Sequence, residues 1–264
     1  MQTDSTVHSI VQKDARSPLH FARFEFKYIL SQKKRDEIEQ ALQHFLQYDP
    51  FVAEQPDHKY VVRSLYFDDP EYTAFYDKIE GLHSRSKFRL RTYSAEQPSA
   101  DSSIPLFLEI KGRHNNLVFK HRTPVQRAGI NWAELNGDAL SQALLQYADK
   151  SSVLDQFEYA LYRKRLTPVA LIDYKRRPYV SKYDASFRLT FDEQLSARNV
   201  HTLYPGGDSR AIKILAGYTV LEVKFHHHMP AWFHRIIQTH EMTRVSVSKI
   251  CKGMEVVGLA QDEP

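Results

Sequence analysis

Apolar and charged residues alternate with a period of two in five stretches of the chain: 24–28, 87–91, 106–111, 187–191 and 221–225. Successive side chains of a strand point to opposite faces, so each stretch predicts a strand with one apolar and one ionic face. Residues 62–67 and 169–175 have strand composition with weaker alternation. Helical spacing is rarer. Ser31 is placed to cap a helix whose Ile38, Leu42, Phe45 and Leu46 form one apolar stripe. Asn131 with Glu134 and Ser152 with Asp155 resemble capping boxes, predicting helices over 135–147 and 153–161. Pro230 is placed as a first-turn residue ahead of Trp232, Phe233, Ile236 and Ile237, and a short last helix is predicted from Val247 onward. The irregular stretches 94–104 and 198–213 read as surface connections. Together these elements predict an α+β fold, an antiparallel sheet of six to eight strands with helices packed around it. The organisation expected is a flexible lead-in over 1–20, a single domain over 21–258 and a tail over 259–264.

The ionic faces are selective in what they carry. Arg89 and Arg91 share a face with Lys87, Glu109 with Lys111 and Arg113, Glu222 with Lys224, and Glu25 with Arg23 and Lys27. An ordinary wet face mixes hydroxyls, amides and both charges, and these faces can simply point to water. If the strands are neighbours, however, their cations accumulate on one surface, which is costly unless an anion neutralises them. Arginine's planar fork suits phosphate oxygens, so a phosphate-rich polyanion is the natural complement. The 15 Tyr and 15 Phe are read as sitting on the faces opposite the basic residues, not interleaved with them as in a base-stacking platform.

Composition narrows the class. The 264 residues carry 36 Lys and Arg against 32 Asp and Glu, a formal net charge of only +4, and 42% are hydrophobic, enough for a packed core. The near-neutral total matters only because the basic residues gather on particular strand faces. No apolar run approaches the roughly 20 residues of a membrane span. The first 20 residues lack an apolar signal-peptide core, so a cytoplasmic protein is predicted. The single cysteine, Cys251, has no disulfide partner in the chain and is expected to be a half-buried packing residue. No P-loop and no Gly-x-Gly-x-x-Gly turn is present, so side chains rather than backbone amides would hold phosphates. His226, His227 and His228 read as loop residues beyond a strand. The basic trio Arg163, Lys164 and Arg165 ends a helix, where cations suit the dipole, and no nucleic-acid partner is expected.

Five pieces in order resemble the VTC domain: Ser64-Leu65-Tyr66-Phe67-Asp68, Lys87-Phe88-Arg89-Leu90-Arg91, Phe107-Leu108-Glu109-Ile110-Lys111, Leu221-Glu222-Val223-Lys224 and Ser248-Lys249. This is the polyphosphate polymerase domain, a branch of the triphosphate tunnel metalloenzymes (CYTH-like). The resemblance implies a closed antiparallel β-barrel whose basic interior binds ATP and inorganic polyphosphate with Mn²⁺ or Mg²⁺. Ionic faces would then turn inward and apolar faces outward. By the same resemblance Lys27, Arg89, Arg91, Lys111, Arg176 and Lys249 are catalytic. Arg122, Arg188, Lys224, Lys87 and Ser248 bind substrate, and Glu222, Glu109 and Glu25 hold metal. The wider superfamily opens with Glu-x-Glu-x-Lys, whereas this chain has Arg23-Phe24-Glu25-Phe26-Lys27, with arginine at the first acidic position. The activity implied is transfer of the γ-phosphate of ATP to a growing chain. A triphosphatase or polyphosphatase on the same barrel and a non-catalytic binding module are the alternatives, and a membrane partner is possible although no transmembrane segment is encoded.

Overall fold

The computed structural model describes residues 24–262 except 97, 101–103, 115, 116 and 208, so the expected lead-in over 1–20 and Arg23 lie outside the described residues. The chain order is β1 (Phe24–Ser31), α1 (Gln32–Leu42), β2 (Leu46–Tyr48), β3 (Tyr60–Asp68), α2 (Thr73–Ile79), β4 (Ser84–Ser94), β5 (Leu106–His114) and β6 (Leu117–Val125). It continues with α3 (Gly137–Tyr147), α4 (Ser152–Lys164), β7 (Thr167–Ser181), β8 (Arg188–Arg198), β9 (Ile212–Lys213), β10 (Tyr218–Phe225), α5 (Ala231–Thr239) and α6 (Lys249–Val256). All five alternating stretches lie on strands of one antiparallel sheet, in the order β1-β10-β8-β7-β3-β4-β5-β6, with β2 on β7 and β9 on β8.

The sheet is curled into a half-barrel rather than the fully closed barrel expected. Lys111 on β5, the seventh strand in that order, reaches Glu25 on β1, the first, at 3.2 Å. Among the described residues no backbone ladder joins β6 to β1, so this seam is crossed by side chains. The segment before α6 also covers it: the Val245 N–H donates to the Lys27 carbonyl at 2.8 Å, and Lys27 Nζ donates to the Val247 carbonyl at 3.1 Å.

Alternation decides which helix covers what. The outward apolar residues of β3, β4 and β5, among them Leu65, Phe88, Leu90 and Leu108, pack under α3 and α4 with Leu140, Leu144 and Phe157. Those of β1, β8 and β10, including Leu30, Leu189, Phe191 and Leu221, pack under α1 and α5 with Ile38, Leu42, Phe233 and Ile236. A third cluster fills part of the concave face, where Ile172, Ala197 and Val220 meet Ile250, Cys251 and Met254 of α6. Two glycines permit close approaches. A Cβ on Gly112 would meet the Phe119 ring at 1.9 Å across β5 and β6, and one on Gly253 would meet Ile172 Cδ1 at 2.3 Å beneath α6.

Several boundaries differ from expectation. The first helix stops at Leu42, because Leu46 pairs with Ser181 as the start of β2. Asn131 and Glu134 bond to each other in a turn at 2.7 Å, and the helix begins at Gly137. The cap of α4 is Ser151, which accepts from the Leu154 N–H, and Pro230 precedes α5 as its N-cap. The last helix begins two residues later than Val247, capped by Ser248. Strand β6 and helix α2 were not anticipated. Cys251 is buried rather than half-buried. No described helix is long and apolar enough to cross a membrane.

Candidate functional site

The concave face left open by α6 forms a cavity of about 900 Å³. Antiparallel register explains its lining. On β4 the side chains of Arg85, Lys87, Arg89 and Arg91 point inward at every second position, opposite Arg113, Lys111, Glu109 and Phe107 of β5. Across the seam, Lys27 of β1 lies opposite Glu222 of β10, and Glu25 lies opposite Lys224. Helix α6 contributes Ser248 and Lys249 at its start.

Eleven of the residues singled out from sequence line this one cavity. Lys27, Arg89, Arg91, Lys111, Arg176 and Lys249 are all there, as are Lys87, Lys224 and Ser248 and the carboxylates Glu25 and Glu222. Three are placed elsewhere. Arg122 is exposed near the end of β6, its guanidinium 4.5 Å from the Phe107 ring centroid. Arg188 is exposed at the start of β8. Glu109 is fully buried behind the cavity wall, so it does not stand with Glu25 and Glu222 as expected of a shared metal site.

The inner cations are neutralised by carboxylates. Arg89 donates from Nε to Glu109 Oε2 at 2.8 Å, its Nη2 lies 2.7 Å from the same oxygen as an ion pair, and Lys120 meets Glu109 Oε1 at 2.7 Å. Arg176 grips Asp192 with Nε at 2.6 Å and Nη2 at 2.7 Å, and Nη2 also donates to Glu222 at 3.1 Å. Lys249 bridges Asp192 at 2.6 Å and Glu222 at 2.5 Å. Burial alone would raise the carboxyl pKa of Glu109. Arg89, Arg91 and Lys120 instead hold it well below the usual range. Glu222 is likewise held low against its burial by Lys249, Lys27 and Arg176, and Glu25 by Lys111 and Lys27. Burial pushes the Lys111 ammonium down to about 8, despite Glu25 beside it.

At the mouth the balance is different. Lys78, Arg85 and Lys87 line the cavity, and no carboxylate of a described residue lies within ion-pair distance of them. Burial lowers the pKa of Lys78 and Arg85, and neighbouring cations lower them further.

Reading the strands for parity misplaced the aromatic residues. Tyr60, Tyr66, Tyr93 and Tyr174 line the cavity, interleaved with the cations. The Tyr66 hydroxyl accepts from Arg89 Nη1 at 3.0 Å, Arg91 lies 5.9 Å from the Tyr93 ring centroid, and Arg176 lies 5.3 Å from that of Tyr174. Arg89 and Arg91 overcome burial and pull the Tyr66 phenol down to about 8. Sequence reasoning also passed over Arg85, Lys120, Arg244 and Asp192. Arg85 and Tyr174 were reachable, since each stands two positions before a cation that was identified. Lys120 was not, because its strand was unrecognised.

For a divalent metal the relevant test is which carboxylates face the cavity. Glu25 and Glu222 do, on adjacent strands, and Mg²⁺ is often held by one or two carboxylates together with substrate phosphates. That donor set fits. Among the described residues no group of three or more His, Cys, Asp or Glu side chains converges as an all-protein site.

Fold and site together define a tunnel-type protein, a curled antiparallel sheet with a cationic interior. The chain belongs to the VTC domain family, whose model matches residues 22–258. No curated protein matches it in sequence. Among solved structures it is similar to the PH1819 protein of Pyrococcus horikoshii OT3, at 13% identity and a TM-score of 0.38, covering 89% of this chain and 90% of that one. It is also similar to the Bacillus halodurans protein bh2851, assigned provisionally as an adenylate cyclase, at 11% identity and a TM-score of 0.45, covering 85% and 92% respectively.

Proposed function

We propose that the protein is a polyphosphate polymerase that transfers the γ-phosphate of ATP to the end of a polyphosphate chain held in the cavity. The observation that carries this reading is the inward convergence of Lys27, Arg89, Arg91, Lys111, Arg176 and Lys249 on one cavity. Phosphoryl transfer needs donor and acceptor held in line and cations on the transferring group, and little covalent work from the protein. In the step, a terminal oxygen of the chain forms a bond to the γ-phosphorus while the bond from that phosphorus to the β,γ-bridging oxygen breaks, releasing ADP. The acceptor is already an anion, so no general base is required. Arg89, Arg91 and Arg176 orient the phosphates and spread the developing charge. Lys27 and Lys111 neutralise the chain beside them, and Lys249 positions it from the start of α6. Glu222 and Glu25 would hold Mn²⁺ or Mg²⁺, which would screen charge between adjacent phosphates.

The state of the carboxylates favours transfer over hydrolysis. A hydrolase needs an activated water, and Glu25 and Glu222 are both engaged in ion pairs, with Lys111 and Lys249, which leaves neither free to take a proton from water. Incubation of the purified protein with ATP and Mn²⁺, with products resolved on a gel stained for polyphosphate, is expected to show long chains. Orthophosphate alone would instead support the triphosphatase or polyphosphatase reading. Tight binding without turnover at any metal concentration would make the protein a binding module.

A further inference from the structure

Two buried ion pairs on different parts of the half-barrel share one geometry. Arg89 and Glu109 are directly opposite across β4 and β5, and Arg176 and Asp192 are directly opposite across β7 and β8. In both, the carboxylate takes the Nε–Nη2 edge of the arginine, Glu109 with the single oxygen Oε2 at 2.8 and 2.7 Å and Asp192 with both oxygens at 2.6 and 2.7 Å. Both carboxylates have no exposed surface, and neither lines the cavity, whereas both arginines do. A further bond fixes each fork, Arg89 Nη1 to the Tyr66 hydroxyl and Arg176 Nη2 to Glu222, so that Arg176 uses three of its five N–H donors and Arg89 two, with its Nη2 in ion-pair contact.

Burying such pairs is not an efficient way to stabilise a fold, because desolvating two charges offsets most of their attraction. Their value lies in geometry. A guanidinium held along one edge presents its remaining N–H groups in a fixed direction, so less side-chain freedom is lost when a phosphate arrives. We propose that Glu109 and Asp192 are a matched pair of positioning residues, each fixing one arginine fork for phosphate recognition, and that neither is a metal ligand. This rests on the cavity being the phosphate site.

Charge and position predict opposite signs, which makes the proposal testable. Removing a carboxylate leaves the cavity more positive, so charge alone predicts tighter binding of an anion. Loss of positioning predicts weaker binding. The probe is inorganic tripolyphosphate, titrated calorimetrically into the full chain with metal chelated. Asp192→Asn turns an amide N–H₂ towards the Arg176–Lys249 donors and breaks one arm of the pair, and Glu109→Ala removes both Arg89 contacts. Each is expected to weaken binding about tenfold or more, as loss of an outer-shell partner commonly does. Glu109→Gln is expected to weaken binding less than Glu109→Ala, since the oxygen facing Arg89 is kept while the amide N–H₂ falls beside Lys120. Melting curves of the free proteins establish folding. If Glu109→Ala does not fold, binding by Asp192→Asn still decides the matter. Tighter or unchanged binding by Asp192→Asn, or equal effects of Ala and Gln at 109, would overturn the proposal. If the unmodified chain fails to bind tripolyphosphate, the phosphate-site reading falls and this inference falls with it.

Discussion

The concave face of the half-barrel is divided into two regions built from the same strands. On β7, Ala170 and Ile172 face inward beneath α6, while two and four residues beyond Ile172 Tyr174 and Arg176 face inward to the open cavity. On β10, Val220 belongs to the apolar region and Glu222 and Lys224 to the ionic one. The apolar region is filled by Ile250, Cys251 and Met254, so water is excluded and packing holds the helix in place. The ionic region has no such plug, and its inner cations are neutralised instead by Glu109, Asp192, Glu222 and Glu25. One strand thus carries a stability surface and a binding surface in series. Helix α6 joins them, since Lys249 reaches the carboxylates while the next turn packs into the core.

This division predicts that substitutions on the two sides have separable effects. In the apolar region Met254→Ala is expected to cost about 2–5 kcal/mol of stability, read from denaturant unfolding, because it opens a cavity beneath α6. Gly253→Ala is expected to cost less, about 1–3 kcal/mol, since Ile172 must shift to admit the methyl group. In the ionic region Lys87→Ala is expected to change the melting temperature little, because Lys87 lies near other cations with no carboxylate of a described residue within ion-pair distance, and it gives up only a weak hydrogen bond to Cys251 Sγ at 3.1 Å. Its cost appears as weaker tripolyphosphate binding, by about tenfold, the 1.4 kcal/mol typical of one charge-assisted contact. A fall in stability with unchanged binding would erase the distinction between the regions.

The smallest effect is a pH dependence centred on Tyr66. Its phenol is pulled down to about 8 in the fold, against about 10 when unfolded. A lowered folded pKa means that ionisation stabilises the free protein progressively as pH rises from about 8 to about 10, and that this contribution is lost as pH falls through about 8. The phenolate would also compete with phosphate for Arg89, so tripolyphosphate affinity is expected to fall over the same window. Tyr66→Phe is expected to reduce both changes, leaving the part that Lys111, also pulled down to about 8, contributes over the same window, measured by melting curves and by titration at pH 7 and pH 9.

Much of this division was present in the alternating pattern. Period two in stretches such as 87–91 and 221–225 placed Arg89, Arg91, Glu222 and Lys224 on shared faces, and eleven of the residues identified converge on the cavity. What the pattern did not reveal depends on neighbours across the sheet. Glu109 has the parity of a cavity residue, yet Arg89 and Lys120 close over it, and Lys120 belongs to a strand whose polar mixture hid its periodicity. Arg122 and Arg188 also have inward parity, but lie where their strands run out to solvent. The tyrosines were misplaced because Tyr60, Tyr66, Tyr93 and Tyr174 all lie outside the five alternating stretches. Tyr66 lies two residues from Ser64, and Tyr174 two from Arg176, on the same inward faces.

Calorimetric titration of inorganic tripolyphosphate into the unmodified chain and into the Arg89→Ala, Arg91→Ala double variant, at low and high salt, tests whether the ionic region is a phosphate site. The unmodified chain is expected to bind, with affinity falling as salt rises. The double variant is expected to bind about a hundredfold more weakly or worse, each lost charged hydrogen-bonding group contributing about 1.5–3 kcal/mol. Equal affinity in the two proteins would contradict the assignment of the cavity.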